Sequence, residues 1–137
     1  MYGNILYVVI PCYNEEEVLP ETARRLKDKM EDLIKKRMIS EASKVIFVND
    51  GSKDCTWELI EKLHEKDYFY GGINLTRNRG HQNALLAGLM MAKEYADMVI
   101  SMDADLQDDI NAVDEMVKKY QSGIDIVYGV RSSRAKD

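Results

Sequence analysis

The sequence predicts a doubly wound α/β domain with a mostly parallel sheet, and three observations carry that prediction. Short continuous apolar runs recur along the chain, each too short for a helix and little broken by polar residues, as expected of strands buried on both faces. Between them lie longer stretches whose apolar residues fall three and four apart, the stripe of a helix resting on a core. The two patterns alternate as five strands with four helices, with no repeat, low-complexity tract or linker, which is the rhythm of strand–helix–strand units.

Element by element, Ile5 to Ile10 reads as the first strand, stopped by Pro11. Leu19, Ala23, Leu26, Met30, Leu33 and Ile34 mark a long helix ending near Met38, with Arg24, Arg25, Lys27, Asp28 and Lys29 on its outer face. Pro20 suits a first helical position, and Asn14 with Glu17 offers an alternative cap one turn earlier. Val45 to Val48 is the second strand. Asp54 caps a helix running to about Lys66, with Leu59, Ile60 and Leu63 inward. Tyr70 to Leu75 is a weaker strand. Ala84, Leu85, Leu89, Ala92 and Ala96 line a third helix, and Met98 to Met102 follows as a fourth strand. Val113, Met116, Val117 and Tyr120 form the stripe of a fourth helix that Gly123 can stop in a left-handed cap, before a fifth strand over Ile124 to Val130.

Composition narrows the function. The 137 residues carry 19 Lys+Arg against 24 Asp+Glu, a net charge of −5, so a nucleic-acid-binding surface with its clustered positive charge is not expected. The chain is long enough for one core and too short for a second full domain. Cys12 and Cys55 have neither CxxC nor zinc-ligand spacing and read as free thiols of a reducing compartment. No apolar run approaches a membrane span and nothing resembles a signal peptide, so the chain by itself is expected to be soluble and cytoplasmic.

Ligands of such sheets bind beyond the carboxyl ends of the strands, and the polar chemistry of the sequence concentrates in those loops. Asp103 and Asp105 follow an apolar strand one residue apart, so an extended backbone would project both carboxylates to one side, where a hard divalent cation relieves their repulsion. Gln107 could add a neutral oxygen. The competing reading is that Asp103, Asp105, Asp108 and Asp109 cap the helix that begins near Ile110. Asn49, Asp50, Gly51 and Ser52 form either a simple turn or a site in which Asp50 accepts hydrogen bonds from a nucleobase and Gly51 permits close backbone approach. Tyr13 offers an aromatic face for the same base, or mere packing; Glu15 offers a ligand for ribose hydroxyls, or a first-turn acid of the helix. Arg77, Arg79, Arg131 and Arg134 are diphosphate candidates or solvated charges. His64 reads as surface, and His81, at a helix start, stays open.

The blocks VVIPCYNEEEVLPET, VNDGSKDCT, TRNRGHQNALLAGL, MDADLQDD and IVYGVRSSR, in this order over essentially the whole chain, resemble the family 2 inverting glycosyltransferases of the GT-A fold. RNRGHQNALLAGL with DADLQD is most similar to the branch that charges polyprenyl phosphates. The resemblance implies that Pro11, Tyr13, Glu15 and Asp50 hold the nucleoside of a UDP- or GDP-linked hexose, with Asp103 and Ala104 beside the ribose and phosphate. It implies that Asp103, Asp105 and Gln107 bind Mg²⁺ or Mn²⁺, with Asp105 in the catalytic role, and that Arg131 meets the donor phosphates. It further implies a lipid-phosphate acceptor, and that the chain is the N-terminal, donor-binding part of a longer catalytic domain. The acceptor region and any membrane attachment then lie beyond Asp137, and the parent protein sits at the cytoplasmic face of a membrane.

Two other classes compete. A phosphoacceptor receiver module has similar length and alternation, but its acids belong after the first and third strands, where Pro11-Cys12 and Thr76-Arg77 stand here. A non-catalytic sugar-nucleotide-binding domain would share every motif above. Dinucleotide and P-loop enzymes are disfavoured because neither GxGxxG nor GxxxxGK[ST] occurs.

Overall fold

The computed structural model describes residues 4–105 and 110–121. Within them the chain runs β1 (Leu6–Cys12), α1 (Leu19–Lys35), β2 (Lys44–Asp50), α2 (Thr56–Lys66), β3 (Tyr70–Leu75), α3 (His81–Ala92), β4 (Met98–Ser101) and α4 (Ala112–Gln121). The four strands form one parallel sheet in the order β3-β2-β1-β4. The expected fifth strand, its preceding Gly123, and residues Gln107, Asp108, Asp109, Arg131 and Arg134 lie outside the described residues.

All seven residues of β1 are buried, as the unbroken apolar run requires of a strand with neighbours on both edges and helices on both faces. Alternation sorts them. Leu6, Val8, Ile10 and Cys12 join Val45 and Phe47 beneath the buried stripe of α1, with Ile60 of α2 and Val113 and Val117 of α4. Tyr7, Val9, Ile46 and Val48 turn to the opposite face, where Ala84 and Ala92 of α3 meet them. That helix lies close to the sheet because Gly88 has no side chain: a Cβ there would come within 2.4 Å of Val9 Cγ1 and 2.9 Å of Val48 Cγ2. Each fully buried Leu, Ile, Met or Phe contributes roughly 1.5–3 kcal/mol relative to exposure, so the α1 stripe alone makes this face the main anchor of the fold.

Several boundaries differ from the sequence reading: β2 runs from Lys44 to Asp50, β4 stops one residue short of Met102, and the differences at β1 and α1 have a local reason. β1 continues through Pro11 and Cys12, with Pro11 opposite Val48. Proline is tolerated there because alternate residues of a parallel strand bond to alternate sides. Met102 N–H donates to Val9 O at 3.1 Å, so positions 9 and 11 both face β4, and β4 ends at Ser101, before an N–H at position 11 would be used. α1 ends at Lys35 rather than near Met38. Arg37 takes a left-handed φ of 61°, and Met38 N–H reaches Leu33 O at 2.9 Å while Arg37 N–H reaches Ile34 O at 2.9 Å, a Schellman closure made without glycine. α3 begins at His81, the helix start that the sequence reading gave it, with Gly80 as its N-cap at φ 95°, and ends at Ala92, short of the expected stripe residue Ala96.

Candidate functional site

Strand order locates the site before any side chain does. The chain moves outward from β1 to β2 to β3 and then returns to the other side of β1 for β4, so the loops leaving β1 and β4 diverge at the point where the order reverses. A cleft of about 380 Å³ opens there. It is lined by Pro11, Cys12, Tyr13 and Glu15 from the end of β1, by Asp50 from β2, by Asn78, Gly80 and His81 ahead of and at the start of α3, and by Asp103, Ala104 and Asp105 after β4. Every described residue that the family resemblance assigned to a donor or a metal therefore lines one space. Gln107 and Arg131, from the same assignment, lie outside the described residues.

The β1 wall is held by its neighbour. Tyr13 lines the cleft and is 41% exposed, so it is not spent in the core. After it the backbone turns at Asn14, which has φ 54°. Asn14 N–H donates to Ser52 Oγ at 2.9 Å, Lys53 N–H donates back to Asn14 Oδ1 at 2.8 Å, and Glu15 N–H donates to Thr56 Oγ1 at 2.8 Å. Two more bonds continue the seam, Glu16 N–H to Asp54 Oδ2 and Cys55 N–H to Glu16 Oε1. Glu15 precedes α1, and Glu21 is the first-turn acid of that helix, so the alternative reading of Glu15 as a first-turn acid is corrected.

Asp50 is 3% exposed, and its Oδ1 accepts the Arg79 N–H at 2.6 Å. The bond uses one of its two oxygens and ties the 76–80 loop to the end of β2. Gly51 is necessary beside it: with φ 68°, a Cβ would stand 2.2 Å from Asn78 N and 2.3 Å from Arg77 C. The close approach that Gly51 permits is thus to the 77–78 backbone, where the sequence suggested a nucleobase. Arg77 and Arg79, offered as diphosphate partners, are exposed and do not line the cleft; Arg79 contributes its backbone N–H instead.

On the β4 side, the strand stops at Ser101 and the chain turns at Ala104 and Asp105. The extended alternation invoked for Asp103 and Asp105 therefore does not reach them; a turn brings them to the same cleft. The turn is pinned from beneath, with Ala104 buried and its carbonyl accepting the Thr22 hydroxyl of α1.

Asp54, expected as the N-cap of α2, instead stands one residue before it, with Cys55 as the N-cap; Asp54 lies in the seam, and its Oδ1 accepts both the N–H and the hydroxyl of Thr56. Partial burial pushes its pKa up, but the Thr56 bonds and the Glu16 N–H outweigh it and hold the carboxyl below the usual carboxylate range. Cys12 is the opposite case. Burial first, and the Glu15 charge second, raise its thiol, which donates weakly to Ile10 O at 3.4 Å. Cys55 is raised by the carboxylates of Glu16 and Glu58. Both shifts run away from the thiolate, so neither cysteine carries the mark of an activated nucleophile.

Four carboxylates, Glu15, Asp50, Asp103 and Asp105, line the cleft against one imidazole. Such a surface repels a bare phosphate and suits a phosphate that arrives with a cation. Its donors are hard oxygens, the set that takes Mg²⁺ or Mn²⁺ rather than zinc or copper. Among the described residues no group of three or more His, Cys, Asp or Glu side chains could hold a metal ion, so an ion held at this cleft would need oxygens from a substrate or water as well. The N-terminus of α3 opens onto the same cleft and presents the positive end of its dipole.

The sequence pattern of the family described as Glycosyl transferase family 2 matches residues 7–137. The chain belongs to glycosyl transferase family 2. This family 2 chain is 51% identical over 133 residues to the glycosyltransferase YkoT of Bacillus subtilis, which covers 97% of the chain and 40% of that protein. It is 37% identical over 130 residues to the bactoprenol glucosyl transferase of Shigella phage SfV, covering 95% of the chain and 40% of that protein. The chain thus spans about two fifths of the length of these relatives. Among solved structures it is similar to the mannosyltransferase PcManGT from Pyrobaculum calidifontis in complex with GDP-Man and Mn²⁺, with a TM-score of 0.56, 22% identity, and coverage of 77% of this chain and 28% of that one. That likeness bears out the α/β fold class read from the sequence. No helix among the described residues is long and apolar enough to cross a membrane.

The cleft also holds residues the sequence reading left without a role. Asn78 and Gly80 line it, and His81, whose place was open, does too. The signal was present: Gly80 followed by a polar triplet marks the N-terminal turn of α3, and a helix start after β3 must face the carboxyl edge of the sheet.

Proposed function

We propose that this chain binds a nucleoside-diphosphate hexose, of the UDP or GDP type, and that it is the donor half of an inverting, metal-assisted transferase whose acceptor is a polyprenyl phosphate. The observation that carries the reading is the meeting of Asp103 and Asp105 with Tyr13, Glu15 and Asp50 across one cleft at the reversal of strand order. In this reading the Tyr13 ring lies against the base and an Asp50 oxygen accepts from its imide or amino group. Glu15 takes ribose hydroxyls. Asp103 and Asp105 would hold Mg²⁺ or Mn²⁺ against the donor diphosphate, and Gln107 and Arg131 would join them.

The ion, when bound, supplies Lewis-acid neutralisation of the charge that grows on the departing diphosphate. The N–H groups at the start of α3 add fixed positive potential from the facing wall. An acceptor phosphate oxygen then forms its bond to the anomeric carbon as the bond to the diphosphate oxygen breaks, and the electron pair leaves with the nucleoside diphosphate. A phosphate acceptor is already anionic near neutral pH, so the chain needs no general base for this step. The relatives of the polyprenyl branch and the soluble mannosyl donor of the structural neighbour support the reading from outside the chain. The acceptor region and membrane attachment belong, on this proposal, to a longer protein working at the cytoplasmic face.

Calorimetry of UDP and GDP binding in the presence and absence of Mn²⁺ tests the donor half. Binding of one nucleotide that depends on Mn²⁺ is the expected result; indifference to Mn²⁺, or binding of neither, would sink it. A transfer assay with the longer protein, a panel of sugar nucleotides and polyprenyl phosphate tests the acceptor half. Donor binding without turnover there would favour a non-catalytic binding domain.

A further inference from the structure

Asn14 lies between two cleft residues, Tyr13 and Glu15, and does not itself line the cleft. It is one of two non-glycine residues with a left-handed backbone among the described residues, and the other, Arg37, is accounted for by the end of α1. A left-handed turn at a side-chain-bearing residue costs free energy and persists only when its surroundings over-determine it. Here they do, because Asn14 makes a reciprocal pair with the loop after β2, donating its N–H to Ser52 Oγ and accepting the Lys53 N–H at Oδ1.

We infer that Asn14 is a positioning residue, which locks the turn after β1 onto the turn after β2 so that Tyr13 and Glu15 face the donor together with Asp50. The inference rests on the donor-binding reading of the cleft. Its physical content is preorganisation: Tyr13 stands on an exposed loop and would otherwise have to be ordered when the nucleotide arrives, at a cost in affinity. Asparagine suits the position twice over, since it tolerates a positive φ and its amide oxygen reaches the backbone of the facing turn. Thr56 Oγ1 accepts the Glu15 N–H, and Asp54 and Glu16 extend the seam beyond it, but the left-handed turn itself is at Asn14.

Three substitutions separate the lock from mere stability. Asn14→Gly keeps the left-handed backbone and removes Oδ1; Asn14→Ala removes Oδ1 and strains the turn; Asn14→Asp keeps both the acceptor and the tolerance. On the whole chain, with Mn²⁺ present, Asn14→Gly and Asn14→Ala should bind the preferred nucleotide roughly tenfold more weakly, the scale of a misplaced contact group, while Asn14→Asp restores most of the affinity. Hydrogen exchange of the Lys53 amide should speed up in the Gly and Ala variants and stay slow in Asp. Wild-type affinity in Asn14→Gly, failure of Asn14→Asp to rescue, or an unchanged Lys53 amide would each overturn the inference. If the unsubstituted chain binds neither UDP nor GDP, the donor-binding reading fails and this role fails with it, whereas normal binding by chain and Gly variant alike removes only the role of Asn14.

Discussion

The two sides of the cleft are built on different plans. On the β1–β2 side, five hydrogen bonds stitch residues 14–16 to residues 52–56, every one between a backbone N–H and a side chain of the facing segment. On the β4 side, Asp103 and Asp105 ride on a turn whose described anchors are the buried Ala104 and its carbonyl's bond to Thr22. One side is loop locked to loop, and the other is a turn resting on a helix. The difference teaches that, on the proposed reading, the platform for the base and the turn that would carry the ion rest on different hydrogen bonds and can be perturbed separately. It also matches the chemistry proposed: a base is recognised by fixed geometry, whereas carboxylates that share an ion with a substrate need room to adjust their ligation.

That contrast can be broken at either end. The largest expected effect is on the stitched side, from Gly51→Ala. The added Cβ meets backbone 2.2 Å away at a φ of 68°, and strain plus overpacking should cost roughly 3–4 kcal/mol. Urea denaturation checks it, and a loss below about 1 kcal/mol would show that the 77–78 turn yields. Next comes Asp105→Asn on the other side, which should weaken Mn²⁺-dependent nucleotide binding about a hundredfold, or roughly 2.8 kcal/mol, while leaving Mn²⁺-independent binding of the nucleoside intact. Equal losses for nucleoside and nucleotide would erase the proposed division of labour.

Thr22→Val sharpens the same point at smaller scale. It removes the hydroxyl under Ala104 and leaves that buried carbonyl unpaired, costing about 1–2 kcal/mol in denaturation, and it should reduce Mn²⁺-dependent affinity without touching nucleoside binding. The smallest effect is the acid response of Asp54. Its pKa is lowered in the folded chain, so its contribution is present above the usual carboxylate pKa of about 3.9 and is lost as pH falls through the depressed value. Asp54→Asn should therefore flatten the stability curve below about pH 4 and cost under about 1 kcal/mol at pH 7, measured by thermal unfolding across pH.

Much of this was legible in the sequence because burial writes itself as periodicity. The apolar run of β1, the stripe of α1 and the alternation of elements each follow from a face that must avoid water, and they led to the right fold class. The cleft residues were legible for a related reason: once Tyr13, Asp50, Asp103 and Asp105 are placed after parallel strands, the sheet carries them to one edge. What escaped was local backbone geometry set by long-range partners. Nothing near Arg37 announces a Schellman closure, since Arg is not a left-handed residue by preference. Pro11 reads as a strand breaker until the early end of β4 is known. The same-side projection of Asp103 and Asp105 assumed a strand that had already turned.

The amino-acid order by itself determined the layers, the parallel sheet and the set of side chains that would reach its carboxyl edge, because solvent exclusion acts on each element according to its own period. Only the tertiary structure decided which loop leans on which. Asn14 against Ser52 and Lys53, Asp50 against Arg79 and Gly51 against Asn78 are contacts between segments remote in the chain. Their partners are chosen by strand order, and short polar loops carry no periodic signal from which that choice could be read.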